Sequence, residues 1–277
     1  MVGKPIAHSL SPVIHNAGYR AAGLTGWNYT AIECAEVELP ELLAGLGPQW
    51  AGLSVTMPLK ETALALAGEV SPVAAATGAA NTLVRRPDGG WYADNTDVPG
   101  MVEVLRAAGV GAGARFTVLG AGGTARAALA AAAALSAGSV TVVARRPEAV
   151  RELELVADAV GVTVAAVPWA RPAVGDIDVL VSTVPKGAAD ELVDRLPLRP
   201  AMVCFDAIYD PWPTPLASAA EAAGCRVVSG LDLLLAQAVG QFEQFTGAVA
   251  PVPAMREALH GARSGRRGAG QGQHHGQ

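Results

Sequence analysis

The sequence predicts an α/β fold in two domains. Apolar runs of strand length alternate with helix-length segments in two blocks, one before and one after residue 97. Leu119-Gly120-Ala121-Gly122-Gly123-Thr124-Ala125, a Gly-rich turn, separates a strand-like run from an Ala-rich helical stretch. Of 277 residues, 51% are hydrophobic and 16% charged, enough for two packed cores. With aromatics at only 5%, those cores must be built mainly from Ala, Val and Leu.

In the first block, Ser11-Pro12 opens a helix over 13–22: Ser is a preferred N-cap, Pro fits the first helical position, and Gly23 ends the run. A strand is predicted over 27–34, a helix over 37–46 and a strand over 51–57. Pro58 stops that strand, and a helix starts near Lys60. This alternation predicts a mainly parallel sheet. Segments 79–86 and 90–94 flank Pro87-Asp88-Gly89, a hairpin turn.

In the second block a helix is expected over 98–108, a strand over 115–119, the Gly-rich turn, and a helix to about 136. Strand 140–144 and helix 147–160 follow, the latter with Pro147 at a tolerated first-turn position. Further strands are expected at 162–167, 179–184, 202–206 and 226–228, then helices over 230–245 and 253–260. From Gly261 the chain is rich in Gly, Arg, Gln and His; 261–277 is expected to be a disordered tail, because it buries too little to offset its ordering entropy.

Composition narrows the function. A net charge of −5 gives no general attraction to nucleic acid or anionic membranes. No apolar stretch has the length of a membrane span, and the N-terminus lacks the apolar core of a secretion signal. Cys34, Cys204 and Cys225 form no metal spacing and read as reduced thiols of a cytoplasmic protein. His274-His275 is a single adjacent pair with no third ligand, so no metal is expected.

The turn at 119–125 fits GxGxxA, a dinucleotide fingerprint, with a strand before it and a helix after it. Gly120 allows the tight turn, Gly122 lets a pyrophosphate approach the backbone, and the helix N-terminus offers N–H groups to phosphate. The alternative is an ordinary Gly-rich strand–helix loop. At the end of the next strand an NAD binder carries an acid; here the chain reads Ala144-Arg145-Arg146-Pro147. Two guanidiniums without an acid favour NADP, whose 2′-phosphate brings the negative charge. Two solvated arginines at a helix start are the bland alternative.

Three polar clusters mark the first hundred residues: His8-Ser9-Leu10-Ser11-Pro12, Ser54-Val55-Thr56-Met57-Pro58-Leu59-Lys60, and Ala80-Asn81-Thr82 with Asp94-Asn95-Thr96-Asp97. Their hydroxyls, amide, amine and carboxylate suit a small polyhydroxylated substrate. Each alone has a structural explanation: Ser11 as a cap, Thr56 and Asn81 in turns, Lys60 as a solvated lysine.

Together with LGAGGTA, DAIYDPWPTP and GLDLLLAQA, in this order and spacing, these clusters resemble the shikimate dehydrogenase family from Val2 to about Leu259. The resemblance implies an N-terminal α/β substrate domain over 1–97, joined by C-terminal helices over 230–260, and a Rossmann-type NADP domain over 98–229. It implies NADPH-dependent reduction of 3-dehydroshikimate to shikimate, a step of chorismate and aromatic amino-acid biosynthesis. Lys60 and Asp97 would be the catalytic pair. Ser9 and Ser11 would bind the substrate carboxylate, and Thr56, Asn81, Asp97 and Gln237 the ring hydroxyls, with Tyr209 close by. Gly120, Ala121, Gly122 and Gly123 would lie under the pyrophosphate, and Thr124 and Ala125 would start the helix. Arg145, with Arg146, would hold the 2′-phosphate, and Gly230 would approach the nicotinamide. Partners would be the small-molecule substrate and either none or a second copy of the chain.

The chain departs from the family's pattern in three places. Only Met1-Val2 precede Gly3, so either the start is mis-assigned or the first strand is missing. Ser54 stands where members often have Asn, and Ala144-Arg145-Arg146 where they often have Asn-Arg-Thr/Ser. A quinate/shikimate or aminoshikimate dehydrogenase, differing in a few pocket contacts, and a catalytically silent NADP-binding regulator remain open; retention of Lys60 and Asp97 argues against the regulator.

Overall fold

The computed structural model describes residues 1–172 and 174–271. The chain divides into two compact units. The first comprises Met1–Glu69, Ala80–Asp94 and the chain from Ala238 onward; the second comprises Val70–Ala79 and Asn95–Gln237. These limits differ from the expected boundaries at 97 and 230. Segment 70–79 groups with the second unit because Val73 packs beside Val98, Ala127, Ala130 and Val160, and because Arg126 donates to the Gly78 carbonyl at 3.3 Å.

The first unit contains β1 (Val2–Gly3), α1 (Ser11–Ala21), β2 (Ile32–Glu33), α2 (Leu39–Gly45), β3 (Gly52–Ser54) and α3 (Lys60–Leu66). A short 3-10 turn, Glu36–Glu38, leads into α2. In chain order β4 (Glu69–Val70) and α4 (Pro72–Thr77), the latter part of the second unit, come next, then β5 (Thr82–Arg85) and β6 (Trp91–Asp94) of the first. β1 and β2 are parallel, and Val2 forms a parallel bridge to Val55, just past β3. The larger sheet, in order β3-β5-β6-β4, is not mainly parallel as the alternation suggested: β3 runs antiparallel to β5, and β5 to β6. The turn after Arg86 is too short for anything else, since a parallel connection needs a dozen or more residues. Ser11 is not the N-cap of α1. Leu10 takes that place, and the Ser9 hydroxyl accepts from the Ser11 N–H at 3.2 Å.

The second unit holds α5 (Asp97–Ala107), β7 (Arg115–Leu119), α6 (Gly123–Ala134), β8 (Ser139–Ala144), α7 (Pro147–Val160) and β9 (Val164–Pro168). β10 (Val179–Ser182), a 3-10 segment over Asp190–Arg195, β11 (Val203–Asp206), α8 (Pro215–Ala222) and β12 (Arg226–Ser229) complete it. Its strands form one parallel sheet in the order β12-β11-β10-β7-β8-β9, the doubly wound arrangement with its switch point between β7 and β10. Phe116, Val118, Val142, Val181 and Phe205 pack with α6 on one face; Leu119, Val143, Leu180 and Cys204 pack on the other. Both faces are covered, as a parallel sheet requires.

α9 (Gly230–Thr246) and α10 (Val252–Gln271) end the described chain. Within the first unit α10 packs on α1, burying Met255 and Leu259. The disordered tail expected from 261 is corrected in part: residues 261–271 continue α10. A helix already nucleated by packing extends at little cost per residue. Residues 272–277, with His274 and His275, lie outside the described residues. No described helix is long and apolar enough to cross a membrane.

Candidate functional site

The C-terminal ends of β7, β8 and β10 border a cavity of about 730 Å³. Its walls include Gly120, Ala121, Gly122, Arg145, Arg146, Trp169, Val184 and Lys186. Gly120 has φ +104°, and a Cβ there would lie 2.7 Å from the Thr183 hydroxyl. That hydroxyl donates to the Leu119 carbonyl at 2.8 Å, which fixes the β10 turn against the glycine turn. A Cβ on Gly122 would meet nothing within 4 Å, so that backbone faces open space. Gly122 is the N-cap of α6, and Gly123 and Thr124 begin its first turn, where N–H groups have no helical partner. Ala125 does not line the cavity. It is fully buried and packs α6 on the sheet, the place where the fingerprint needs a small residue.

Arg145 and Arg146 are both exposed at the mouth of this cavity. The Arg145 guanidinium lies 4.9 Å from the centre of the Trp169 ring. Neither Trp169 nor Lys186 was singled out from the sequence. Each follows a strand end, and a search for aromatic or cationic residues just past β9 and β10 would have found them. Glycines that leave room for a phosphate backbone, a helix N-terminus and cations without an acid fit a dinucleotide carrying an extra phosphate.

In the first unit, the residues predicted for substrate gather where β1 and β3 end and β5 begins. Thr56 N–H donates to the Val2 carbonyl at 3.0 Å, and the Thr56 carbonyl accepts from Leu59 N–H at 2.9 Å, bending the chain into α3. Lys60 begins α3 and is half-buried; its carbonyl accepts from Ala80 N–H at 2.9 Å. Asn81, next along, accepts at its carbonyl from Val55 N–H at 2.7 Å, and its side-chain oxygen accepts from the Thr82 hydroxyl at 2.7 Å. Ser9 and buried Ser11 sit together at the start of α1. His15, one turn on, is stacked on Tyr29 at 4.2 Å, and burial pushes its imidazole down to about 3, so it stays neutral.

Asp97, Tyr209, Gln237 and Gly230 belong to the second unit. Asp97 starts α5, its N–H bonded to the Asn95 side chain at 3.2 Å. Asn95 is itself held by the Thr77 hydroxyl at 3.1 Å and the Ala79 carbonyl at 2.9 Å. Tyr209 lies on the loop after β11. Asp206 closes that loop by accepting from Ile208 N–H at 3.1 Å and the Thr214 hydroxyl at 2.7 Å. Burial raises the Asp206 carboxyl above its usual range. Gly230 does not line the cavity. It packs on the loop so closely that a Cβ would overlap the Ala207 carbonyl. Gln237 donates to the Leu234 carbonyl of its own helix at 2.7 Å.

Among known proteins, residues 1–83 match the shikimate dehydrogenase substrate binding domain, and residues 230–260 match the shikimate 5′-dehydrogenase C-terminal domain. A shikimate dehydrogenase (NADP(+)) of Anaeromyxobacter dehalogenans is 41% identical, with 96% of each chain covered. The crystal structure of Mycobacterium tuberculosis shikimate dehydrogenase is 48% identical, with a TM-score of 0.87 over 94% of this chain and 97% of that one. A Thermus thermophilus shikimate 5-dehydrogenase, solved with NADP(H) and shikimate, is 32% identical, with a TM-score of 0.81 over 94% and 97%.

Proposed function

The chain belongs to the shikimate dehydrogenase family, and we propose that it catalyses the NADPH-dependent reduction of 3-dehydroshikimate to shikimate. The observation that carries the cofactor half of this reading is the cavity past β8. Arg145 and Arg146 stand there together, and no carboxylate among the described residues pairs with Arg145. An NAD site would need an acid for the ribose 2′-hydroxyl; a 2′-phosphate needs the cations.

Bound NADPH supplies the hydride, which is the hard chemistry. The chain supplies the proton and the orientation. We assign the proton to the Lys60 ammonium, which stabilises charge growing on the carbonyl oxygen and then protonates it. Asp97, with Thr56, Asn81 and Gln237, holds the ring hydroxyls. Ser9 and Ser11 take the carboxylate, and Tyr209 flanks the ring. Gly120, Ala121, Gly122, Gly123 and Thr124 bind the pyrophosphate, with Arg145 and Arg146 on the 2′-phosphate and Gly230 toward the nicotinamide. We take 98–229 as the NADP domain and 1–97, with the C-terminal helices over 230–260, as the substrate-binding and catalytic domain. The three cysteines are free thiols, which supports a cytoplasmic location; we take the enzyme to act as a monomer or homodimer.

The test is loss of NADPH absorbance on adding 3-dehydroshikimate to the purified chain, with quinate and NADP⁺ as a parallel assay. Turnover with 3-dehydroshikimate well above that with quinate is expected. NADPH binding without turnover of either would instead make the chain a silent NADP-binding protein.

A further inference from the structure

We propose that Trp169 is a positioning residue for cofactor choice, holding Arg145 ready for the 2′-phosphate; this rests on the NADP reading above. Trp169 directly follows β9, and its backbone N–H donates to the Ala144 carbonyl at 3.3 Å, so it is pinned beside the end of β8. Its ring is 8% exposed, packed with Leu119, Val143 and Leu192. Its indole N–H donates to the Glu191 carboxylate on the neighbouring 3-10 segment, which fixes the ring's rotation. The buried ring presents a face to the Arg145 guanidinium, 4.9 Å from its centre.

A cation–π contact does not occupy the guanidinium N–H groups with an acceptor oxygen, so they remain available to grip phosphate in a two-pronged bond. Cation–π attraction also holds charge at this spot without a carboxylate. A carboxylate would compete with the phosphate and would favour a ribose hydroxyl instead. Finally, an exposed arginine loses rotamer freedom on binding. One already held over a ring has lost part of it beforehand, so less is lost when the ligand arrives. Glu191 thus orders Trp169, Trp169 orders Arg145, and Arg145 reads the phosphate.

The experiment is calorimetric binding of adenosine 2′,5′-bisphosphate and of 5′-AMP, which differ only in the 2′-phosphate. Trp169→Leu keeps apolar bulk but removes the ring face; Trp169→Phe keeps a smaller one. Affinity for the bisphosphate should fall about 3- to 10-fold in the leucine variant and less in the phenylalanine variant, the span of a cation–π contact. Affinity for 5′-AMP should change less than about twofold. In an Arg145→Ala background the leucine change should have no further effect on discrimination, since its route has gone. Equal weakening of both nucleotides would mean that Trp169 merely shapes the adenosine site and would overturn the proposal, as would unaltered discrimination. If the leucine variant lacks a cooperative melt, the phenylalanine variant decides on the same criterion. A wild-type chain that binds the two nucleotides equally would refute the NADP reading itself, a result distinct from failure of the Trp169 proposal.

Discussion

Ser54 and Gln241, 187 positions apart, are joined by a buried hydrogen bond of 2.6 Å from the serine hydroxyl to the glutamine oxygen. The Ser54 oxygen also accepts from the Tyr29 hydroxyl at 2.6 Å. The Gln241 amide donates to the Asn81 carbonyl at 3.0 Å and the Thr82 hydroxyl at 3.1 Å. Ser54, at the position where family members often carry asparagine, thus has its hydroxyl partners, Tyr29 and Gln241, within this network. The network backs Asn81, a proposed substrate ligand.

Gln241→Ala should destabilise the protein by about 2–3 kcal/mol, because it strands buried groups away from water. Chemical denaturation with circular dichroism detection measures this. A loss under about 0.5 kcal/mol would mean that water replaces the side chain without penalty.

At the start of β7, Arg115 grips Asp178 through its Nε at 2.8 Å, its NH2 at 2.8 Å and its backbone N–H at 2.9 Å. These bonds, with Arg199, hold the Asp178 carboxyl well below the usual carboxylate range. A depressed carboxylate stabilises the fold above its unfolded pKa of about 3.9, and that contribution is lost as pH falls toward the folded value. The group is partly exposed, so the effect is about 1 kcal/mol or less. Asp178→Asn should melt about 2–3 °C below wild type at pH 7. The gap should narrow below about pH 4; a gap that widens there contradicts the assignment.

The two glycines of the nucleotide turn should separate folding from binding. Gly120→Ala places a Cβ against the Thr183 hydroxyl at an unfavourable φ and should cost about 2 kcal/mol or more. Gly122→Ala enters open space and should cost about 1 kcal/mol or less. With the pyrophosphate on this turn as proposed, the added methyl would meet it and should weaken NADPH at least about tenfold. Melting curves alongside NADPH titration distinguish the cases; a stable Gly122→Ala variant with wild-type affinity would move the pyrophosphate off this turn.

Lys60→Ala should lower kcat by about 10²–10⁴, the usual span for a general acid, with a much smaller change in KM. Steady-state NADPH oxidation with 3-dehydroshikimate reads this, and circular dichroism checks the fold. A folded variant retaining more than about a tenth of wild-type kcat, against that span, assigns the proton to another group.

Elements whose cause is local were legible in the chain itself. β7 (Arg115–Leu119) and α7 (Pro147–Val160) appear as predicted, because apolar periodicity, the glycine turn and a helix-starting proline act within a few residues of each other. The position of the arginine pair just past β8 was legible for the same reason. The antiparallel pairing of β3 with β5 and the union of segment 70–79 with the second unit were decided by packing between distant segments. So were the Ser54–Gln241 bond and the Trp169 face under Arg145. Periodicity shows that a strand exists but not which strand lies beside it, and a residue's partners depend on that pairing. Tertiary structure alone put an indole after one strand beneath a guanidinium after another, turning two unrelated sequence positions into one device.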